Sequence, residues 1–212
     1  MEIEFMKIGI LGTGNVGRSL AKPWADKGHE IVFGSRDPEK ALEIAKSMGK
    51  NVCSATYEEA AKWGDVIVLA LPYTAAQDII KTVGDLTGKI LVDCTNPLAP
   101  GLSGLVIGLT TSAAEEIAKM TSAKVVKAFN TMGVGIMANV QFGSETASNF
   151  ICGDDEEAKS VVRSLGEDIG FDVVDTGPLS NARLLEPLAM LWIYLAFKLG
   201  MGSGIAFKLL RR

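Results

Sequence analysis

Histidine is nearly missing from this chain: His29 is the only one in 212 residues, and it stands between Gly28 and an apolar run. A histidine-based metal centre or a Ser-His-Asp arrangement is therefore not expected. Cysteine is almost as sparse. Cys53, Cys94 and Cys152 lie far apart, odd in number, with no CxxC or zinc spacing. They read as small residues in a reducing compartment. Runs of Lys and Arg are absent and the net charge is -4, which argues against a nucleic-acid partner. Long apolar stretches are missing too. PLAMLWIYLAF, residues 187–197, is about half the roughly 20 residues a membrane-crossing helix requires. It reads as a buried or subunit-facing helix. No charged amino end leads into an apolar core and cleavage site, so no secretory signal and no membrane partner are expected, and the expected location is cytoplasmic.

What is present is a regular alternation of short apolar runs and helical patterns. KIGILG, EIVFGS, NVCSA, DVIVLALP, KILVDCTNP and KVVKAFN read as strands, and helical patterns separate them. In DPEKALEIAKSMG, Asp37 suits the N-cap, Pro38 the first helical position and Gly49 the stop. DVIVLALP is apolar throughout, as expected at the centre of a parallel sheet covered on both faces. This grammar predicts an α/β protein with a doubly wound parallel sheet, the Rossmann NAD(P)-binding fold. Pro23 falls inside the first helix and should remove one of its hydrogen bonds. From Thr131 onward the pattern loosens into strand, helix, strand and a terminal helix. The expected organisation is a nucleotide-binding domain at 1–130 and a small C-terminal α/β extension at 131–212.

GILGTGNVG, residues 9–17, closes one strand and opens one helix. GxGxxG alone is weak evidence; in this context it predicts a diphosphate-binding turn. Gly12 would make the tight turn, Gly14 would let the backbone approach the anion, and Gly17 would let helix and strand pack closely. Asn15 and Val16 complete the loop and place helix N–H groups toward the anion. The second strand selects the nucleotide. NAD sites end it with an acid that accepts from the ribose diol, whereas this chain has Ser35 and Arg36. A guanidinium pairs with a 2′-phosphate through two parallel hydrogen bonds. Lys40, in the next helical turn, and the hydroxyl of Thr13 would add to that site. Taken alone, Lys40 reads more simply as a solvated cation beside Glu43. The expected cofactor is NADP.

Ligands in such sheets lie beyond the carboxyl ends of the strands. Leu71 and Pro72, Asn96 and Pro97, and Asn130 and Thr131 should surround the nicotinamide there. His29 sits at the opposite edge and reads as a helix-exit residue. Tyr194 and Lys198 match a Tyr-x-x-x-Lys pair by coincidence, too late in the chain to act as one. No acid-base residue is left for alcohol chemistry, so no catalytic side chain is assigned. Direct hydride transfer to a second redox ring fits better. GDDEEAKS, residues 153–160, reads as a capped helix start, with Asp154 as N-cap, and not as a metal site.

GILGTGNVGRSLA, GHEIVFGSR, KVVKAFNT, CGDDEEAKSVV, DTGPLSNARLLEPL and GMGSGIAFKLL together resemble the NADPH-dependent coenzyme F420 reductases. That resemblance implies a cytoplasmic homodimer passing hydride between NADP and a deazaflavin. It places Thr13, Ser35, Arg36 and Lys40 at the 2′-phosphate, and Gly12, Gly14, Asn15 and Val16 at the diphosphate. The segments GPLSNAR and GMGSGIAF would shape the deazaflavin pocket and the subunit contact. VVKAFN also resembles the NADPH domain of the six-transmembrane metalloreductases, which implies a flavin as the alternative acceptor. A non-catalytic NADPH-binding redox sensor is a further alternative.

Overall fold

The computed structural model describes residues 5–212; residues 1–4, counted above in the first domain, lie outside the described residues. Strand β1 (Lys7–Leu11) leads through the glycine turn into α1 (Asn15–Asp26), and β2 (Glu30–Gly34) into α2 (Pro38–Lys46). β3 (Val52–Ala55), α3 (Tyr57–Trp63), β4 (Val66–Leu69), α4 (Tyr73–Thr82), β5 (Ile90–Asp93), α5 (Ala113–Ala118) and β6 (Lys124–Lys127) follow. These six strands are parallel, in the order 3-2-1-4-5-6. The order reverses between β1 and β4, which opens a crevice at their carboxyl ends.

The central strands are buried on both faces because apolar side chains dominate each face. Successive residues point to opposite sides. Ile8, Ile10, Val66, Val68 and Val92 pack with Leu20 and Trp24 of α1. Ile67, Leu69 and Leu91 pack on the other side with Ala60, Ile80 and Ile117. Each such aliphatic side chain contributes about 1.5–3 kcal/mol when removed from water.

The C-terminal part extends the same sheet. After α6 (Val134–Ala138) and the small hairpin β7 (Gln141–Phe142) and β8 (Glu145–Thr146) come β9 (Ser148–Gly153), α7 (Glu156–Ile169), β10 (Asp172–Asp175) and α8 (Ala182–Ile193). β9 joins β6 antiparallel, and β10 joins β9 in parallel. Phe129 packs edge-on against Trp24 at 5.8 Å and lies 6.3 Å from Phe171, so one core crosses residue 131. The indole of Trp24 also donates to the carbonyl of Leu165 at 2.8 Å.

Three local expectations change. α2 ends at Lys46 with Ser47 as its cap, three residues before Gly49. Asp155, not Asp154, caps α7 by accepting the Ala158 N–H at 2.8 Å, while Asp154 accepts from Leu179 N–H at 2.9 Å. His29 is more than a helix-exit residue. Only 1 % exposed, its Nδ1 accepts the Met6 N–H at 3.1 Å and its Nε2 lies 3.0 Å from Asp168 Oδ2. That pairing fastens the amino edge of the sheet to α7. Pro23 does lie inside α1, which continues past it.

Candidate functional site

Two adjoining cavities occupy the crevice. The first, about 420 Å³, lies between the β1–α1 turn, the end of β2 and the start of α2. Gly12, Thr13, Gly14, Ser35, Arg36, Lys40 and Leu71 line it, as do Arg18, Ala41, Ile44 and Tyr57. Gly12 takes φ +118°, and a Cβ there would come within 2.5 Å of the Ala70 carbonyl oxygen, so only glycine fits the turn. Gly17 presses against the Gly12 carbonyl beneath the loop. Gly14 is different: a Cβ on it would meet nothing within 4 Å. It faces open space at the uncapped amino end of α1, where helix N–H groups have no side-chain partner and suit an anion.

Three of the four charged side chains around this cavity are cationic. Arg18 donates from Nε to the Thr13 carbonyl at 2.7 Å, and Arg36 and Lys40 are exposed around it. The acid in the lining, Asp37, accepts the Lys40 N–H at 3.0 Å, and Ser35 Oγ accepts the Asp37 N–H at 3.1 Å. A carboxylate held on backbone leaves the guanidinium groups and the Lys40 ammonium for an incoming anion. The chemistry fits a phosphorylated ribose better than a free diol.

The second cavity, about 690 Å³, is lined mainly by carbon. Gly14, Asn15, Val16, Leu71, Pro72 and Asn96 border it. Gly14 and Leu71 also border the first cavity, so the two adjoin there. Leu98, Pro100 and Val106 form its outer wall, within a loop closed by a bridge between Leu98 and Leu105. Tyr73, Thr74, Cys94 and Thr95 complete the lining.

Pro97, Asn130 and Thr131 stand behind this wall, buried. Asn130 donates to Asn96 Oδ1 at 3.1 Å and accepts from Asn96 Nδ2 through its carbonyl at 3.0 Å. Phe129, just before it, takes φ +57°, a conformation unfavourable for a bulky side chain. Its N–H donates to Asn149 Oδ1 at 3.1 Å, which holds the turn. Thr95 Oγ1 and Asn130 Oδ1 are buried without a partner. Thr95 lines the cavity, and an orphaned buried hydroxyl there is unusual in a folded protein and suits a ligand amide or water.

Beneath the wall lies a buried ionic network. Lys127 Nζ is 2.9 Å from Asp93 Oδ2 and 3.0 Å from Glu186 Oε1, with all three side chains at most 1 % exposed. The ammonium also donates to the Thr95 carbonyl. Glu186 accepts the N–H groups of Ala113 at 2.9 Å and Ala114 at 3.2 Å, and Asp93 Oδ1 accepts from Thr95 N–H at 2.9 Å. Burial alone would favour neutral lysine. The charges and hydrogen bonds of Asp93 and Glu186 outweigh it and raise the Lys127 pKa. Two groups of the lining respond to the same region: burial chiefly, then nearby acids, raise both the Tyr73 phenol and the Cys94 thiol. Both stay protonated near neutrality, so Cys94 is no nucleophile here.

Fold and crevice define a Rossmann-type dinucleotide-binding protein with an adjoining apolar cavity. The sequence profile of the family "NADP oxidoreductase coenzyme F420-dependent" matches residues 7–97. The F420-dependent NADP reductase of Methanocaldococcus jannaschii is 34% identical, over 94% of this chain and 97% of its own length. A crystal structure from Arthrobacter sp. FB24, provisionally described as an F420-dependent NADP reductase, superposes with a TM-score of 0.88 at 34% identity, covering 97% of this chain and all of that one. The rat metalloreductase STEAP3 is also 34% identical over 88% of this chain, which matches 37% of that protein. The chain belongs to the F420-dependent NADP oxidoreductase family.

Some residues of the crevice escaped the sequence reading. Arg18 lies one turn beyond Gly14, and Val106 comes from a loop with no periodicity. Asp93, Lys127 and Glu186 did leave a signal: single charges of opposite sign inside otherwise apolar stretches.

Proposed function

We propose that this protein is an NADP-dependent oxidoreductase that transfers hydride between NADP(H) and the deazaflavin coenzyme F420. The observation that carries this reading is a cationic cavity that adjoins an apolar one at Gly14 and Leu71. When bound, NADPH supplies a hydride and becomes NADP⁺, the acceptor ring gaining that hydride together with one proton from solvent. Ser35, Arg36, Lys40 and Thr13 hold the 2′-phosphate, with Arg18 beside them. Gly12, Gly14, Asn15 and Val16, seated over Gly17, cradle the diphosphate at the amino end of α1. Leu71, Pro72 and Asn96 border the nicotinamide. Pro97, Asn130 and Thr131 support that wall from behind. Leu98, Pro100 and Val106 keep water from the second ring.

Among the described residues, no histidine or carboxylate lines the apolar chamber. This suits a reaction in which orientation replaces proton transfer by a side chain. Residues 131–212 line neither cavity; they back the acceptor side through Glu186 and serve as the dimerisation part. Leu184, Leu191, Tyr194 and Phe197, each about half exposed or more along α8 and the turn beyond it, form an apolar face that a second copy would cover. No described helix is long and apolar enough to cross a membrane, and the proposed location is cytoplasmic.

The decisive test is anaerobic oxidation of NADPH by the purified protein with F420 and FMN offered separately. Turnover with F420 supports the reading. Turnover with FMN alone moves the acceptor to a flavin, as the metalloreductase likeness would suggest, and no turnover with either overturns it.

A further inference from the structure

The network of Asp93, Lys127 and Glu186 is larger than a structural tie requires, and its charges do not cancel. Two carboxyl groups face one ammonium, and each of their four oxygens accepts from an N–H donor, the pattern that favours the ionised form of both. All three side chains are sealed from solvent, where neither salt nor water screens them effectively. The network is also firmly placed. Asp93 and Lys127 end neighbouring strands β5 and β6, Glu186 comes from α8, and every donor of the ammonium has a partner. Two of its bonds end on the backbone of Thr95, and Thr95 lines the apolar cavity.

We propose that Asp93, Lys127 and Glu186 act together as a fixed negative charge behind the cavity wall that favours the cationic nicotinamide ring of NADP⁺ over the neutral ring of NADPH. The inference rests on the reading above that places the nicotinamide in this cavity. The ring gains a positive charge when its hydride leaves, so a fixed negative charge nearby stabilises the oxidised cofactor more than the reduced one. These residues need not touch the ring. They are positioning residues, acting through the Cys94–Asn96 wall, and their effect falls on the direction of transfer. Lys127 keeps the assembly folded by holding two carboxylates at one site. The acids supply the excess charge.

The lining itself contains a reporter. Tyr73 is 6 % exposed, and after desolvation its phenol is raised by Glu116, Glu186 and Asp93. A probe of the potential is thus available without any cofactor.

The experiment uses the full chain with Glu186→Gln and, as a second route to the same charge change, Asp93→Asn. Dissociation constants for NADP⁺ and NADPH are measured separately by fluorescence titration. Circular dichroism shows which variant is folded. Tyr73 is titrated by ultraviolet difference spectra, with Tyr73→Phe identifying its signal. The expected result is a three- to tenfold rise in the ratio Kd(NADP⁺)/Kd(NADPH), about the effect of one buried charge, together with a lower Tyr73 pKa. An unchanged ratio with an unchanged Tyr73 pKa overturns the inference and leaves the nicotinamide placement standing. A lower Tyr73 pKa with an unchanged ratio overturns both, because the charge is then real but the ring is elsewhere.

Discussion

The two halves of the crevice are built by opposite means. The cationic cavity draws its key groups from two short segments, residues 12–18 and 35–44, placed by a glycine turn and a helix start. The apolar cavity gathers residues from 14 to 106 and rests on a network that reaches to Glu186. Local backbone geometry suffices for the first, since phosphate is recognised by N–H groups and mobile cations at the surface. The second needs a water-free wall, and a wall exists only when distant elements pack. A lesson follows for variation in this protein: changes in the first half should alter affinity, and changes behind the second should alter folding or the balance of the reaction.

Lys127→Met should give the largest effect on the packed half. It leaves two carboxylates buried without a counter-charge, a change that costs about 3–5 kcal/mol. Urea unfolding should show it, and an unchanged midpoint would mean that the network is not closed as described. Arg36→Asp probes the other half. It removes a charge-assisted pair and adds repulsion, so NADPH affinity should fall about 100-fold while NADH changes little. Comparable losses for both nucleotides would erase the phosphate selectivity on which the contrast depends.

His29→Gln should be milder. The chain would lose about 1 kcal/mol from the links to Met6 and Asp168, and turnover should stay near that of the parent because this edge is remote from the crevice. Loss of turnover in a fully folded variant would contradict that separation. The smallest effect concerns the clamp between α5 and α8, where Arg183 pairs with Glu115 through Nε at 2.8 Å. The Arg183 hydrogen bond, opposed by burial and helped by Ser112, holds the Glu115 carboxyl below its ordinary range. Its contribution is present above the ordinary carboxylate pKa and fades as pH falls through the lowered value. Arg183→Ala should therefore lower the urea midpoint slightly at pH 7, with the gap closing in acid. A gap that widened in acid would reverse the assigned sign.

The doubly wound parallel sheet could be anticipated because each strand announces itself by composition and each helix by its period. Asp37 and Pro38 opened α2 as their chemistry demands. One-residue errors arose where two candidates stood side by side: Asp154 and Asp155 are equally good caps in isolation, and only the docking of Leu179 separates their roles. The antiparallel junction of β9 with β6 left no trace in either strand, because pairing partners are selected by packing across the whole sheet. His29 was legible as remote from the crevice, but not as a fastener, since Asp168 lies 139 residues further along.

The sequence by itself determined the glycine turn, the pair Ser35 and Arg36 where a carboxylate would otherwise end β2, and the alternation that produces a doubly wound sheet. Each depends on residues close in the chain, where conformational preference and hydrogen bonding act without long-range help. Tertiary structure alone decided that residues 131–212 share the sheet of the nucleotide-binding part. It also decided that two cavities adjoin at Gly14 and Leu71, and that Asp93, Lys127 and Glu186 meet out of reach of water. Those facts depend on which apolar faces bury one another. Burial is what turns three scattered charges into one strong local field, because attraction and repulsion that water would weaken persist inside a packed core.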